Sequence, residues 1–286
     1  MPGIRNWSKT CLKPWTADQM PPHPELHYEL RGNPSNPLVV FLHGFMGSSK
    51  DWHKIMDLLT DSCLCLAIDL PGHGKSTSLT DQGAYTFVGA ASHVVGVIKK
   101  TTAAPATVMG YSMGGRIALY VAMQYRHGCG KLVIESATAG IVDEEERAKR
   151  KALDQGRAQE LGQGKFEEFV RTWYCQPVFQ TLAKSPERLE TAIRQRLFND
   201  PLELSRALGG MSVGMQPSLW SRLPGLATPA LLLAGEKDSK YVDIVQSMAT
   251  LLPKGRMAIV PGAGHNIHLE NPAQVADHVR TFVLKE

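Results

Sequence analysis

The chain has 286 residues, 43% hydrophobic and 20% charged, enough to bury a large core in one sizeable domain or in a domain carrying an insertion. Its formal net charge of +4 comes without any run of Lys and Arg interleaved with aromatics, so the sequence gives no support to nucleic-acid binding and leaves small anions as partners. Cys11, Cys63, Cys65, Cys129 and Cys175 are odd in number and lack Cys-x-x-Cys spacing, which argues for reduced thiols in a cytoplasmic setting and against a zinc site.

No stretch reaches the length of about 18 apolar residues that a membrane span requires, and residues 1 to 22 lack the apolar core of a signal peptide. With Pro2, Pro14, Pro21 and Pro22, residues 1–25 read as a loose tail, a targeting remnant, or the product of a start upstream of Met20. Leu26 to Leu30 alternates enough for a first strand, and Leu38 to Leu42 is a continuous apolar run of the buried-strand type. A helix is expected around Trp52 to Leu59, a second buried strand over Cys63 to Ile68, and a helix from about Tyr85 to Lys100. Cys63 and Cys65, two apart in that strand, face the same side. Ala106 to Met109 and Lys131 to Ser136 read as further strands, with a helix between them that Gly128 and Gly130 stop. Strands alternating with helices imply a mostly parallel sheet covered on both faces.

Residues 138–223 break the rhythm, being helical in pattern and charged, and strands resume only at Ala230 to Ala234 and Met257 to Val260. The predicted organisation is a tail over 1–25, a first core part over 26–137, a helical cap inserted over 138–223, and a second core part over 224–286.

The stretch Gly110-Tyr111-Ser112-Met113-Gly114 lies between a strand and a helix and reads as a nucleophile elbow, whose glycines allow strand and helix to approach closely. A serine hydroxyl becomes a useful base or nucleophile only when a histidine takes its proton and a carboxylate fixes that histidine's tautomer. Asp238 and His265 each follow a predicted strand directly, so both are expected in the crevice outside the carboxyl ends of the strands. Their order, Ser112 then Asp238 then His265, suits a strand-turn-helix nucleophile. Glu236 is the main rival carboxylate, with Asp69 and Asp243 behind it, and His43 and His73 are read as loop-fixing residues. The oxyanion hole is assigned to the backbone N–H groups of Phe45 and Met113. No ligand-spaced cluster, Gly-x-Gly-x-x-Gly or Walker loop is present, so no metal, nucleotide or other cofactor is expected.

Residues 138–223 hold nine of the fifteen Arg but only four of the sixteen Lys, and Arg is suited to two-pronged carboxylate recognition. For any single one of these arginines a solvated helix face is the ordinary reading. Arg116 differs, because the first turn of the elbow helix is unfavourable for a cation.

Together these stretches resemble the α/β-hydrolase superfamily and, more narrowly, the 2-succinyl-6-hydroxy-2,4-cyclohexadiene-1-carboxylate synthases of menaquinone and phylloquinone biosynthesis. The resemblance covers about residues 26 to 284. Phe41-Leu42-His43-Gly44-Phe45 and Asp69-Leu70-Pro71-Gly72-His73-Gly74 belong to the superfamily at large. Trp173-Tyr174-Cys175-Gln176-Pro177-Val178-Phe179, the arginine after the elbow, and Gly235-Glu236-Lys237-Asp238-Ser239-Lys240 are much more specific to the narrower family, and Gly264-His265-Asn266-Ile267-His268-Leu269-Glu270-Asn271-Pro272 also carries the resemblance.

The resemblance implies a lyase that removes a ring proton from 2-succinyl-5-enolpyruvyl-6-hydroxy-3-cyclohexene-1-carboxylate and expels pyruvate. It further implies that Arg116, Arg150 and Arg194 bind the three substrate carboxylates, and that Tyr111, Trp173, Tyr174 and Phe179 wall the pocket. Two rival readings are a carboxylesterase or carbon-carbon hydrolase with the same triad, and a non-catalytic ligand receptor on the same scaffold.

Overall fold

The computed structural model describes residues 26–285, so the expected tail over 1–25 and Cys11 lie outside the described residues. Seven strands form one sheet: β1 (Tyr28–Arg31), β2 (Leu38–Leu42), β3 (Leu64–Ile68), β4 (Ala106–Tyr111), β5 (Cys129–Glu135), β6 (Ala230–Gly235) and β7 (Gly255–Val260). Their spatial order is β1-β3-β2-β4-β5-β6-β7, with β1 antiparallel to β3 and every other pairing parallel.

β2, β3 and β6 are apolar without interruption because both faces of the sheet are covered. β2, β3, β4 and β6 are buried along their whole length. Alternate residues of β2 go to opposite faces: Val40 and Leu42 join a core built with α2 (Phe87–Thr101), α3 (Met113–Gln124) and α9 (Ser239–Leu251). Val39 and Phe41 join the other, built with α1 (His53–Leu59) and α11 (Pro272–Lys285). Cys63 and Cys65 both fall in this second core. β7 is only partly buried, as befits a strand at the sheet edge.

After β5 the chain leaves the sheet and runs through α4 (Glu144–Leu161), α5 (Phe166–Tyr174), α6 (Gln180–Ala183), α7 (Pro186–Arg196) and α8 (Pro201–Met211) before β6 pairs beside β5. These helices enclose a small core of their own, including Leu161, Val170, Leu182, Ile193 and Leu204, which packs against Met46 in the loop after β2. α4 starts cleanly because Asp143 accepts the Glu146 N–H and Glu144, Glu145 and Glu146 sit at the positive end of the helix dipole. A last short helix, α10 (Ile267–Glu270), follows His265. Among the described residues no helix is long and apolar enough to cross a membrane.

Candidate active site

β4 ends at Tyr111, and Ser112 turns the chain into α3 with φ 49° and ψ −108°, a left-handed conformation that a serine adopts only under constraint. The constraint is visible at the flanking glycines. A Cβ on Gly110 would stand 2.2 Å from the Gly114 carbonyl oxygen, and one on Gly114 2.2 Å from that of Leu42. Strand, turn and helix therefore approach more closely than any side chain allows, and the Ser112 N–H is tied to the Glu135 carbonyl at 2.9 Å.

Asp238 follows β6 and His265 follows β7, so all three residues sit beyond the carboxyl ends of parallel strands of one sheet, with β5 between the strand of Ser112 and that of Asp238. The His265 Nδ1–H donates to Asp238 Oδ2 at 2.7 Å, which leaves Nε2 facing Ser112 Oγ at 3.4 Å. Asp238 and His265 are both buried. The rival carboxylate, Glu236, is exposed and accepts the Gly262 N–H at 2.9 Å, a loop contact that holds its carboxyl below the usual range. Asp69 is spent on the Ser49 and Lys75 N–H groups, and Asp243 lies on the exposed side of α9.

His43 fixes the loop after β2. Its Nε2 accepts the Leu70 N–H at 2.9 Å, so Nδ1 carries the proton and donates to the Gly44 carbonyl at 2.7 Å. Because the peptide unit is planar and trans, fixing the Gly44 carbonyl points the Phe45 N–H the opposite way. Burial lowers the pKa of His43 and takes that of His73 down to about 3, so both rings are neutral parts of the framework.

Two adjoining lobes of about 520 Å³ and 610 Å³ share Ser112, Arg150, Trp173, Lys240 and Tyr241 as walls. The inner lobe adds Phe45, Met113 and Arg116; the outer adds Phe179, Lys184 and His265. Phe179 and Tyr241 pack against the His265 ring at 6.1 and 4.5 Å between centroids.

Arg116 is buried at the inner lobe, and its hydrogen bonds go to the Gln216 amide oxygen at 3.1 Å and the Met211 carbonyl at 2.9 Å, both neutral. Among the described residues no carboxylate lies in ion-pair range of it. Burial brings its pKa down to about 10, so it stays charged at neutral pH without a counter-ion. Arg150 reaches the same space from α4, its Nε–H donating at 2.8 Å to the fully buried Asp154, which also accepts the Ser212 hydroxyl at 2.5 Å.

The third expected arginine is not brought to the cavity. Arg194 lies on the exposed side of α7, whereas Ala192, Ile193 and Arg196 form the buried side. Arg196 donates to Asp51 Oδ1 at 2.7 Å and to the Tyr174 hydroxyl at 3.0 Å. Burial opposes its charge, but Asp51 and Tyr174 outweigh that and raise its pKa. Tyr174 is thereby held behind the wall rather than in it, packed on Phe179 at 4.9 Å. Tyr111 is likewise one layer back, between the His265 ring at 5.3 Å and the His268 ring at 4.5 Å, where His268 is paired with buried Glu135. Trp173 and Phe179 do line the cavity. The residues that the sequence reading missed are Tyr241, Lys240, Lys184, Asp154 and Gln216. For Arg196 a signal existed: it stands seven after Leu189 and three after Ile193, on the apolar stripe of α7.

The profile of the family described as alpha/beta hydrolase fold matches residues 37–272. The chain is 35% identical over 250 residues to a 2-succinyl-6-hydroxy-2,4-cyclohexadiene-1-carboxylate synthase of Salmonella agona (strain SL483), covering 86% of this chain and 93% of that one. It is 36% identical over 246 residues to a Bacillus subtilis (strain 168) protein given the same name provisionally, covering 86% and 89% of the two. Among solved structures, MenH from S. aureus superposes with a TM-score of 0.85 at 34% identity, over 90% of this chain and 97% of that one. On the strength of the elbow, the sheet topology and these relatives, the chain belongs to the α/β-hydrolase fold family and, within it, to the 2-succinyl-6-hydroxy-2,4-cyclohexadiene-1-carboxylate synthases.

Proposed function

We propose that this protein is a carbon-oxygen lyase that eliminates pyruvate from 2-succinyl-5-enolpyruvyl-6-hydroxy-3-cyclohexene-1-carboxylate to give 2-succinyl-6-hydroxy-2,4-cyclohexadiene-1-carboxylate. The observation that carries this reading is Arg116, a buried cation without a counter-ion beside Ser112. An esterase of neutral substrates has no use for it, whereas a tricarboxylate supplies the missing charge. Arg150 offers a second cation: Asp154 takes its Nε edge, and among the described residues the other guanidinium donors have no protein partner, which leaves them for a carboxylate.

The ring proton to be lost sits on the carbon that carries the succinyl group, acidified by the neighbouring ketone. Ser112 Oγ takes that proton as its own passes to His265 Nε2, with Asp238 holding the Nδ1–H. The 3.4 Å between Nε2 and Oγ shortens when substrate enters. Negative charge gathers on the ketone oxygen, where the Phe45 and Met113 N–H groups receive it. The freed electron pair forms the 2,3 double bond, the ring double bond moves to the 4,5 position, and the carbon-oxygen bond to the enolpyruvyl group breaks. The leaving enolate takes the proton from His265 and becomes pyruvate. No acyl-enzyme forms. In this reading the helices of residues 138–223 serve as a cap that closes the site from water, and the unpaired thiols of Cys63, Cys65, Cys129 and Cys175 agree with a cytoplasmic setting.

The test is turnover of the enolpyruvyl substrate followed by pyruvate release. Stoichiometric pyruvate that disappears in Ser112→Ala is expected. Ester hydrolysis dependent on Ser112, with no pyruvate formed, would overturn the assignment in favour of a hydrolase.

A further inference from the structure

We infer that the outer lobe is the seat of the enolpyruvyl leaving group, with Lys184 and Lys240 binding its carboxylate. The inference rests on the lyase reading and follows from which residues line which lobe. Phe45, Met113 and Arg116 line only the inner lobe, His265 lines only the outer, and Ser112 lies at the junction. The succinyl ketone oxygen must meet the Phe45 and Met113 N–H groups, so the succinyl arm enters the inner lobe towards Arg116. The leaving oxygen is on the opposite side of the six-membered ring, and it must receive a proton from His265. It therefore projects into the outer lobe.

Lys184 lines that lobe alone, and Lys240 stands where the two lobes meet, its ammonium over the Tyr241 ring at 5.9 Å. With Arg194 turned away, Arg116 and Arg150 account for two of the three substrate carboxylates, and one remains. Of the lysines on the outer lobe, Lys237 is paired with Glu236 at 3.3 Å. Among the described residues, no carboxylate lies in ion-pair range of Lys184 or Lys240. Lys240 also occupies the first turn of α9, where the helix dipole disfavours a cation. An anion in the lobe offsets that cost.

The test uses pyruvate and succinate as separate competitive inhibitors of the whole enzyme, with Lys184→Gln, Lys240→Gln and the double variant. Both lysines are exposed, so these changes leave the fold intact. Each single change is expected to raise the inhibition constant of pyruvate by about two- to fivefold and the double change by about tenfold, while that of succinate stays within about twofold. Arg116→Lys should do the reverse, weakening succinate and sparing pyruvate. Unchanged pyruvate inhibition in the double variant, an equal loss for both fragments, or no competition by pyruvate with the unaltered enzyme would each overturn the subsite. Any of these with normal turnover leaves the lyase reading standing; absent turnover by the unaltered enzyme removes that reading itself.

Discussion

The sheet side and the helix side of this site hold their residues by different means. Ser112, Asp238 and His265 are placed by the backbone: each follows a strand whose neighbours fix it, and the turn at Ser112 admits no side chain at Gly110 or Gly114. Arg116 and Arg150 are placed by contacts that their side chains make as they reach from helices, Arg116 to Gln216 and Met211, Arg150 to Asp154. Backbone placement tolerates almost no variation. Side-chain placement lets specificity change without disturbing the chemistry, which is how one fold serves many reactions.

The first way to test this division is to remove the chemistry. Ser112→Ala or His265→Ala should each lower kcat by about a thousandfold or more, and the double variant should add little, because the residues act as one unit. Asp238→Ala should show a large loss and Glu236→Ala almost none, since Glu236 serves the Gly262 turn. Losses that multiply in the double variant would show independent roles.

Next in size is Arg196. Arg196→Ala leaves Asp51 buried without its partner, which costs about 3 to 5 kcal/mol of stability, measurable by urea denaturation. A drop in kcat/KM with unchanged stability would instead make Arg196 a substrate ligand.

Arg116→Lys probes the helix side directly. A two-pronged charged contact is worth about 1.5 to 3 kcal/mol, so kcat/KM for the tricarboxylate should fall roughly ten- to a hundredfold. Hydrolysis of p-nitrophenyl acetate, where it occurs, should depend on Ser112 and be indifferent to this change. Equal sensitivity of both substrates would make Arg116 a structural residue.

The same division explains what could be read from the sequence. The strands from Leu38 onward, the elbow and the order Ser112, Asp238, His265 were legible because buried parallel strands are continuous apolar runs and the elbow is a local motif. The sequence favoured Asp238 but left Glu236 as a rival, since both follow β6; the path of the loop brings Asp238 to His265 and Glu236 to the Gly262 N–H. In the helices a shift of two residues turns a side chain from one face to another, so Arg194 and Arg196 exchange meanings. The family resemblance implied Tyr111 and Tyr174 as walls, and a resemblance carries no information on depth: both pack one layer behind.

A smaller effect concerns pH. His73 has its pKa lowered to about 3 by burial, against 6.5 unfolded, so the unfolded chain binds the proton first and folding stability is lost as pH falls below 6.5. Between pH 7.5 and 5 this group alone removes about 2 kcal/mol. His73→Asn, which keeps a donor for the Pro71 carbonyl, should lose less stability over that interval than the unaltered protein. Identical losses in both proteins would assign the acid sensitivity to other groups.

The smallest expected effect is the sharpest test of helix phase. Arg194 is exposed on α7 and lines neither lobe, so Arg194→Ala should leave kcat/KM within about twofold and stability within about 0.5 kcal/mol. Its neighbour two positions on should give the large stability loss described above, although the two are the same residue type on the same turn region. The pair therefore separates two hypotheses that sequence alone leaves joined: that any arginine in this segment serves the substrate, or that the face of the helix decides. A fall of tenfold or more in kcat/KM for Arg194→Ala, with unchanged stability, would mean that α7 rotates or shifts when substrate binds and brings Arg194 inward. The third carboxylate would then have an arginine ligand, and measuring pyruvate and succinate inhibition in the same variant would identify which arm of the substrate it holds.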